Sequence, residues 1–166
     1  DGLEIPDISQ LKTELSQSLT KSRVDALFSR KSNLLQFLQT FPLDPGFRAI
    51  NHPWKKYSIQ YSAYRLKIPF SICPGIGADI IYSHPYNNGA AIGEGALQYF
   101  LAFANTVSQL EFGVLLSIGS SVMAPMVFEK SIAMARNLAL QEKRSLENYH
   151  VVVNDIQPGT WNWRLG

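Results

Sequence analysis

Residues 113–119 read GVLLSIG and residues 149–155 read YHVVVND. Both are short apolar runs, the pattern of strands in a parallel sheet covered on both faces. Between them lies APMVFEKSIAMARNLAL, residues 124–140, which reads as a helix with Pro125 tolerated in its first turn. Strand, helix, strand in this order predicts neighbouring parallel strands joined by a crossover helix. Working outward, GAAIGEGALQYFLAFANTVSQL (89–110) reads as the preceding helix. IPFSIC (68–73) and DIIYSH (79–84) read as two further short strands, and KKYSIQYSAYRLK (55–67) as a helix. The alternation predicts a Rossmann-like α/β domain over 55–166, built on a parallel doubly wound sheet.

Residues 1–54 read differently. Ile8, Leu11, Leu15 and Leu19 recur at helical spacing after an Asp/Ser start, and Val24, Leu27, Phe28, Leu34, Leu35 and Leu38 continue the pattern. PLDPGFRAINHPW (42–54) then breaks all periodicity with three prolines and a glycine. This predicts an N-terminal helical segment followed by a linker.

Composition narrows the function classes. The chain has 166 residues, a net charge of +2 and 17% charged residues. No Lys/Arg run stands out, so the expectation is no nucleic-acid partner. No apolar run is long enough to span a bilayer, so no membrane partner is expected. The single cysteine, Cys73, excludes an internal disulfide and a cysteine-based zinc site, and fits a reducing cytoplasm. Three scattered histidines give no metal-ligand spacing, so no metal is expected. The chain starts at Asp1 rather than Met, which reads as part of a longer protein.

In parallel α/β sheets, ligands bind beyond the carboxyl ends of the strands. By this reading the loops there run over 73–78, 83–91, 118–124 and 154–159. Gly75, Gly77, Gly89 and Gly119 let backbone turn tightly and approach a ligand; they equally serve as ordinary turn residues. No G-x-G-x-x-G follows a strand and no Walker-type loop is present. His84 is a candidate proton acceptor, or a histidine hydrogen-bonded at a sheet edge. Asp79 either orients it or caps the following turn. Trp161 and Trp163, with Arg164, either line a pocket for a cation or fold back on the core.

Four stretches carry a family resemblance: YSIQYSAYRLKIPF (57–70), GADIIYSHPYNN (77–88), GVLLSIGSSV (113–122) and YHVVVND. In this order they resemble the C-terminal half of deoxyhypusine synthase, and more closely its uncharacterised bacterial branch. The resemblance spans roughly Lys55 to Asp155. It implies NAD as cofactor, a homo-oligomer with sites shared between subunits, and transfer of an aminobutyl group from spermidine to a protein lysine through an enzyme-lysine imine. It implies His84 as the catalytic residue. Gly75, Gly77, Asp79, Gly119, Ser120 and Asn154 fall on the cofactor side, and Tyr86, Asn88 and Trp163 on the substrate side. The departures lie where the family carries its imine-forming lysine. Here that region reads GTWNWRLG (159–166), and the basic residue is Arg164, which stays protonated and cannot form an imine. The family's acidic Asp-Gly-Ser loop and its glycine-rich upstream half also have no counterpart in this sequence. Two expectations follow: an NAD-dependent transferase acting on a polyamine or related amine, or a non-catalytic nucleotide- or metabolite-binding scaffold that has lost the lysine.

Overall fold

The computed structural model of the chain describes residues 2–19, 27–120 and 122–156. They fall into two compact units, one drawn from residues 1–70 and 74–95, the other from 71–73 and 96–166.

In the first unit, strand β1 (Gly2–Ile5) pairs antiparallel with β2 (Gly46–Ala49), Gly2 opposite Ala49 and Ile5 opposite Gly46. Helix α1 (Ile8–Leu19) begins where the Asp7 carboxylate accepts the Ser9 and Gln10 N–H groups at 2.8 and 3.0 Å. Those bonds, Gln10 first, hold the Asp7 carboxyl below its usual range. The helical spacing of the sequence is real: Leu11 and Leu15 are buried on α1. Helix α2 (Phe28–Thr40) packs on α1 and buries Leu38. Lys31 on α2 reaches Glu14 on α1 at 3.0 Å. After a 3-10 turn at Lys55–Tyr57 comes α3 (Ile59–Leu66), capped by Ser58, whose hydroxyl accepts the Tyr61 N–H. It ends with Lys67 in the left-handed region at φ 56, and the Ile68 and Lys67 N–H groups close back on Ala63 and Tyr64.

Helix α4 (Gly89–Val107) carries the chain from the first unit into the second. In the second unit, β3 (Val114–Ile118) and β4 (His150–Asn154) are parallel neighbours, Val114 opposite His150 and Ile118 opposite Asn154. Helix α5 (Met123–Gln141) lies between them in sequence, as expected for a crossover. Ile132, Ala135 and Ala139 of α5 form a core with Val107 and Leu146, flanked by Phe103, Leu110, Phe128 and Tyr149.

The doubly wound sheet is overturned: the described residues form two separate two-stranded sheets, one antiparallel and one parallel. IPFSIC is irregular, and Ile80–Ser83 is a 3-10 turn, not a strand. A strand needs a neighbour to take its backbone groups. Here Pro69 and Pro74 have no N–H to offer, and the Gly75, Ala78 and Asp79 N–H groups are all consumed within their own loop. Coverage on both faces also fails. Val114, Leu116 and Ile118 of β3 are all exposed, as is β4 along its whole length.

One carboxylate ties the two strand entrances together. Glu111 accepts the Glu147 N–H at 2.7 Å, the Asn148 N–H at 3.2 Å and the Asn148 side-chain amide at 2.7 Å. The Asn148 amide, helped by the two backbone groups, holds the Glu111 carboxyl below its ordinary value of 4.5. A lowered folded-state value means this contribution is complete above the ordinary value and is lost as pH falls through the lowered one. Glu111→Gln replaces one of the two acceptor oxygens with an NH2, which then faces at least one of the three donors. It is expected to lower the melting temperature at neutral pH, with the difference from wild type vanishing in acid. A difference that persists unchanged at low pH would show that the carboxylate charge is not what matters.

Candidate functional site

The loop from Pro74 to Asn88 is held by its own polar groups. Asp79 Oδ2 accepts the Gly75 N–H at 2.6 Å. The Gly75 carbonyl accepts the Ala78 and Asp79 N–H groups at 3.0 and 3.2 Å. Gly77 sits at φ 85, a conformation that favours glycine. Asp79 therefore closes the loop that precedes it, and its side chain makes no capping bond to the 3-10 turn that follows.

His84 follows the 3-10 turn and is exposed. Its Nδ1 accepts the Tyr86 N–H at 3.2 Å. A ring nitrogen that accepts carries no proton, so this bond assigns the neutral imidazole its proton on Nε2. The exposed ring thus presents a donor. The Tyr86 ring packs 5.1 Å from the imidazole, 4.3 Å from Phe41 and 5.6 Å from Phe37, centroid to centroid. Asn88 Oδ1 accepts the Ala91 N–H at 2.9 Å and caps α4. The Asn87 amide donates to the Tyr82 carbonyl at 3.2 Å. Within the same loop the Tyr82 hydroxyl is buried with no hydrogen-bond partner among the described residues.

The other candidates meet at the carboxyl ends of β3 and β4. The Gly119 N–H donates to the Asn154 carbonyl at 2.9 Å, extending the ladder by one bond. Gly119 stands at φ 68, and among the described residues nothing lies within 4 Å of a Cβ built on it. The buried Ser117 hydroxyl donates to the Ser120 carbonyl at 2.9 Å, and Ser120 Oγ accepts the Ala124 N–H at 3.0 Å. Below them a groove of about 790 Å3 runs along the sheet between Leu115, Val151, Val153, Phe128 and Ile132. So the structure brings Gly75, Gly77, Asp79, His84, Tyr86 and Asn88 into one loop of the first unit. Gly119, Ser120 and Asn154 share one strand end of the second. Trp163 lies outside the described residues.

No group of three or more His, Cys, Asp or Glu able to hold a metal occurs among the described residues. No helix among them is long and apolar enough to cross a membrane. No family model, curated protein or solved structure matches the chain.

Sequence reasoning passed over one further concavity. A groove of about 690 Å3 in the first unit is lined by Asn51, His52, Trp54, Lys55, Tyr61 and Tyr64, among others. His52 lies in the stretch 42–54, which reads in the sequence as a linker. The missed signal is charge: from 45 to 78 there is no Asp or Glu, while Arg48, Lys55, Lys56, Arg65 and Lys67 are interleaved with aromatic residues.

Proposed function

We propose that the chain is part of a deoxyhypusine-synthase-like, NAD-dependent transferase that acts on a polyamine or related amine and passes it to an acceptor such as a protein lysine. In this reading the protein works as a cytoplasmic homo-oligomer. The observation that carries it is the parallel pair β3 and β4, whose carboxyl ends bring Gly119, Ser120 and Asn154 together ahead of α5. That is where α/β units hold nucleotides. The space that the described residues leave at Gly119 suits a ribose or a ring lying against bare backbone. The start of α5 suits the phosphates less well, because the Ala124 N–H is taken by Ser120 and Pro125 has none. When bound, NAD supplies a hydride acceptor. The chain's own contribution is to orient the amine and move its proton. For His84 to accept that proton at Nε2, the ring must shift its own proton to Nδ1 and release the Tyr86 N–H. Losing that one long bond costs about 0.5–1.5 kcal/mol. The outward Val114, Leu116 and Ile118 support an oligomer, since apolar strand faces are seldom left to water.

Isothermal titration of wild-type protein with NAD and with spermidine tests the reading. His84→Ala is expected to reduce turnover on the order of a hundredfold, with NAD affinity little changed. Wild-type protein that binds neither ligand removes the enzyme reading. Arg164, standing where the family has its lysine, favours a second reading in that case: a scaffold that binds a nucleotide or metabolite without catalysis.

A further inference from the structure

We infer that the groove beside α3 binds a nucleotide, a base stacked on its Trp54 and Tyr64 rings and a phosphate held by Lys55. Trp54 and Tyr64, which line it, are 74% and 83% exposed, far more than large rings require if they serve only to pack; Tyr57, outside the lining but next to Trp54, is 70% exposed. The Trp54 and Tyr57 rings lie 6.3 Å apart at 32°, a tilted pair rather than a closed stack. Gln60, Tyr61 and Tyr64 line the groove from one face of α3, as spacings of three and four residues dictate. Asn51, His52 and Ser58 add hydrogen-bonding groups on its walls.

Charge selects the ligand. Lys55 Nζ stands 4.8 Å from the Tyr61 ring centroid, and Lys56 Nζ 5.0 Å from that of Tyr57. Tyr61, the groove ring of the two, already faces a cation, so a polyamine would meet like charge there, and a base is left the Trp54 and Tyr64 rings. Five basic residues and no acidic one lie between 45 and 78, so the segment favours an anion. A simple anion would leave the rings unused, and a neutral sugar would leave Lys55 unused. A phosphate-bearing base uses both, which is the combination by which proteins hold single-stranded nucleic acid and nucleotides alike. The groove's volume of about 690 Å3 lies within the range of small-molecule sites. Only Lys55 and Lys56 are adjacent, a pair that by itself reads as a solvated helix end, and Arg48, Arg65 and Lys67 stand apart from it.

The inference does not rest on the enzyme reading. It is tested by titrating the whole protein with fluorescent AMP and with a short fluorescent oligoadenylate, reading anisotropy at two salt concentrations. Binding of both ligands identifies a site for the nucleotide unit itself. Binding of the oligomer alone assigns the groove to single strands. Either result is expected to weaken with salt, and by about five- to a hundredfold in Trp54→Ala and Tyr64→Ala. Lys55→Gln is expected to weaken binding and flatten the salt dependence. Tyr64→Phe keeps a ring and is expected to bind as wild type does, which guards against a folding defect in the Ala variant. No binding of either ligand by wild type overturns the inference. So does wild-type affinity in both ring-to-Ala variants. Spermidine binding and turnover report on the enzyme reading alone, so the two ideas fail separately.

Discussion

Leu38→Ala is expected to lower unfolding stability by about 2–5 kcal/mol. Leu38 is 1% exposed on α2, the helix that packs on α1. Truncation removes the transfer free energy of the lost methyl groups and leaves a cavity that two packed helices close only in part. Domains of this size are typically stable by about 5–15 kcal/mol, so a single change there removes a large share. Leu34, on the same helix but 39% exposed, is the control, and its replacement with Ala is expected to cost clearly less. Urea unfolding reads both through the midpoint, with the slope unchanged if the denatured state is unaffected. Equal midpoints for the two variants would show that the α1–α2 contact is not a stabilising core.

Ile132 gives the matching result for the second unit. It is 8% exposed and belongs to a core with Val107, Ala135, Ala139 and Leu146. Ile132→Val is expected to cost about 0.5–1.5 kcal/mol and Ile132→Ala about 2–5 kcal/mol. The Ala-rich surroundings sharpen the contrast. Ala135 and Ala139 have no rotamers with which to fill the space, so the cavity persists. Thermal unfolding followed by near-ultraviolet circular dichroism would show the graded series. If both variants melt with wild type, α5 is not held by this cluster.

The parallel pairing of β3 and β4 was legible because both runs are rich in β-branched or aliphatic residues, with a patterned helix between them. The same logic failed for IPFSIC and DIIYSH, which are as apolar but whose prolines and aspartate divert the backbone into local turns. Propensity describes what a segment tolerates; pairing depends on whether its N–H and C=O groups are left available. The pair β1 and β2 escaped notice for the opposite reason. Each is four residues long, β2 lies inside a proline-rich stretch, and neither alternates strongly. For the candidate site, the residue types at His84, Asp79 and Asn88 were visible, but their hydrogen bonds were not. Only geometry shows that Asp79 closes a loop, that Asn88 caps α4, and that His84 turns a donor outward. The groove at Trp54 depends on a helix face and a linker meeting, which linear spacing does not encode.

The Glu111 clasp also bears on the order in which the second unit assembles. Glu111 and Glu147 are 36 residues apart, and bringing such ends together in a flexible chain costs about 3 kcal/mol in closure entropy. Nothing local repays that cost, because parallel strands share no tight turn. Helix α5, with 19 residues, needs only near neighbours and elongates on a nanosecond-per-residue scale. Once formed it is a rod about 28 Å long that carries the chain between the two strands. The helix is therefore expected to form ahead of the parallel pair, an order that amide-exchange labelling during refolding would check. The refolding rate of this unit is then governed by the meeting of two distant strand entrances, which the clasp, joining them side by side, brings into register at the moment they meet.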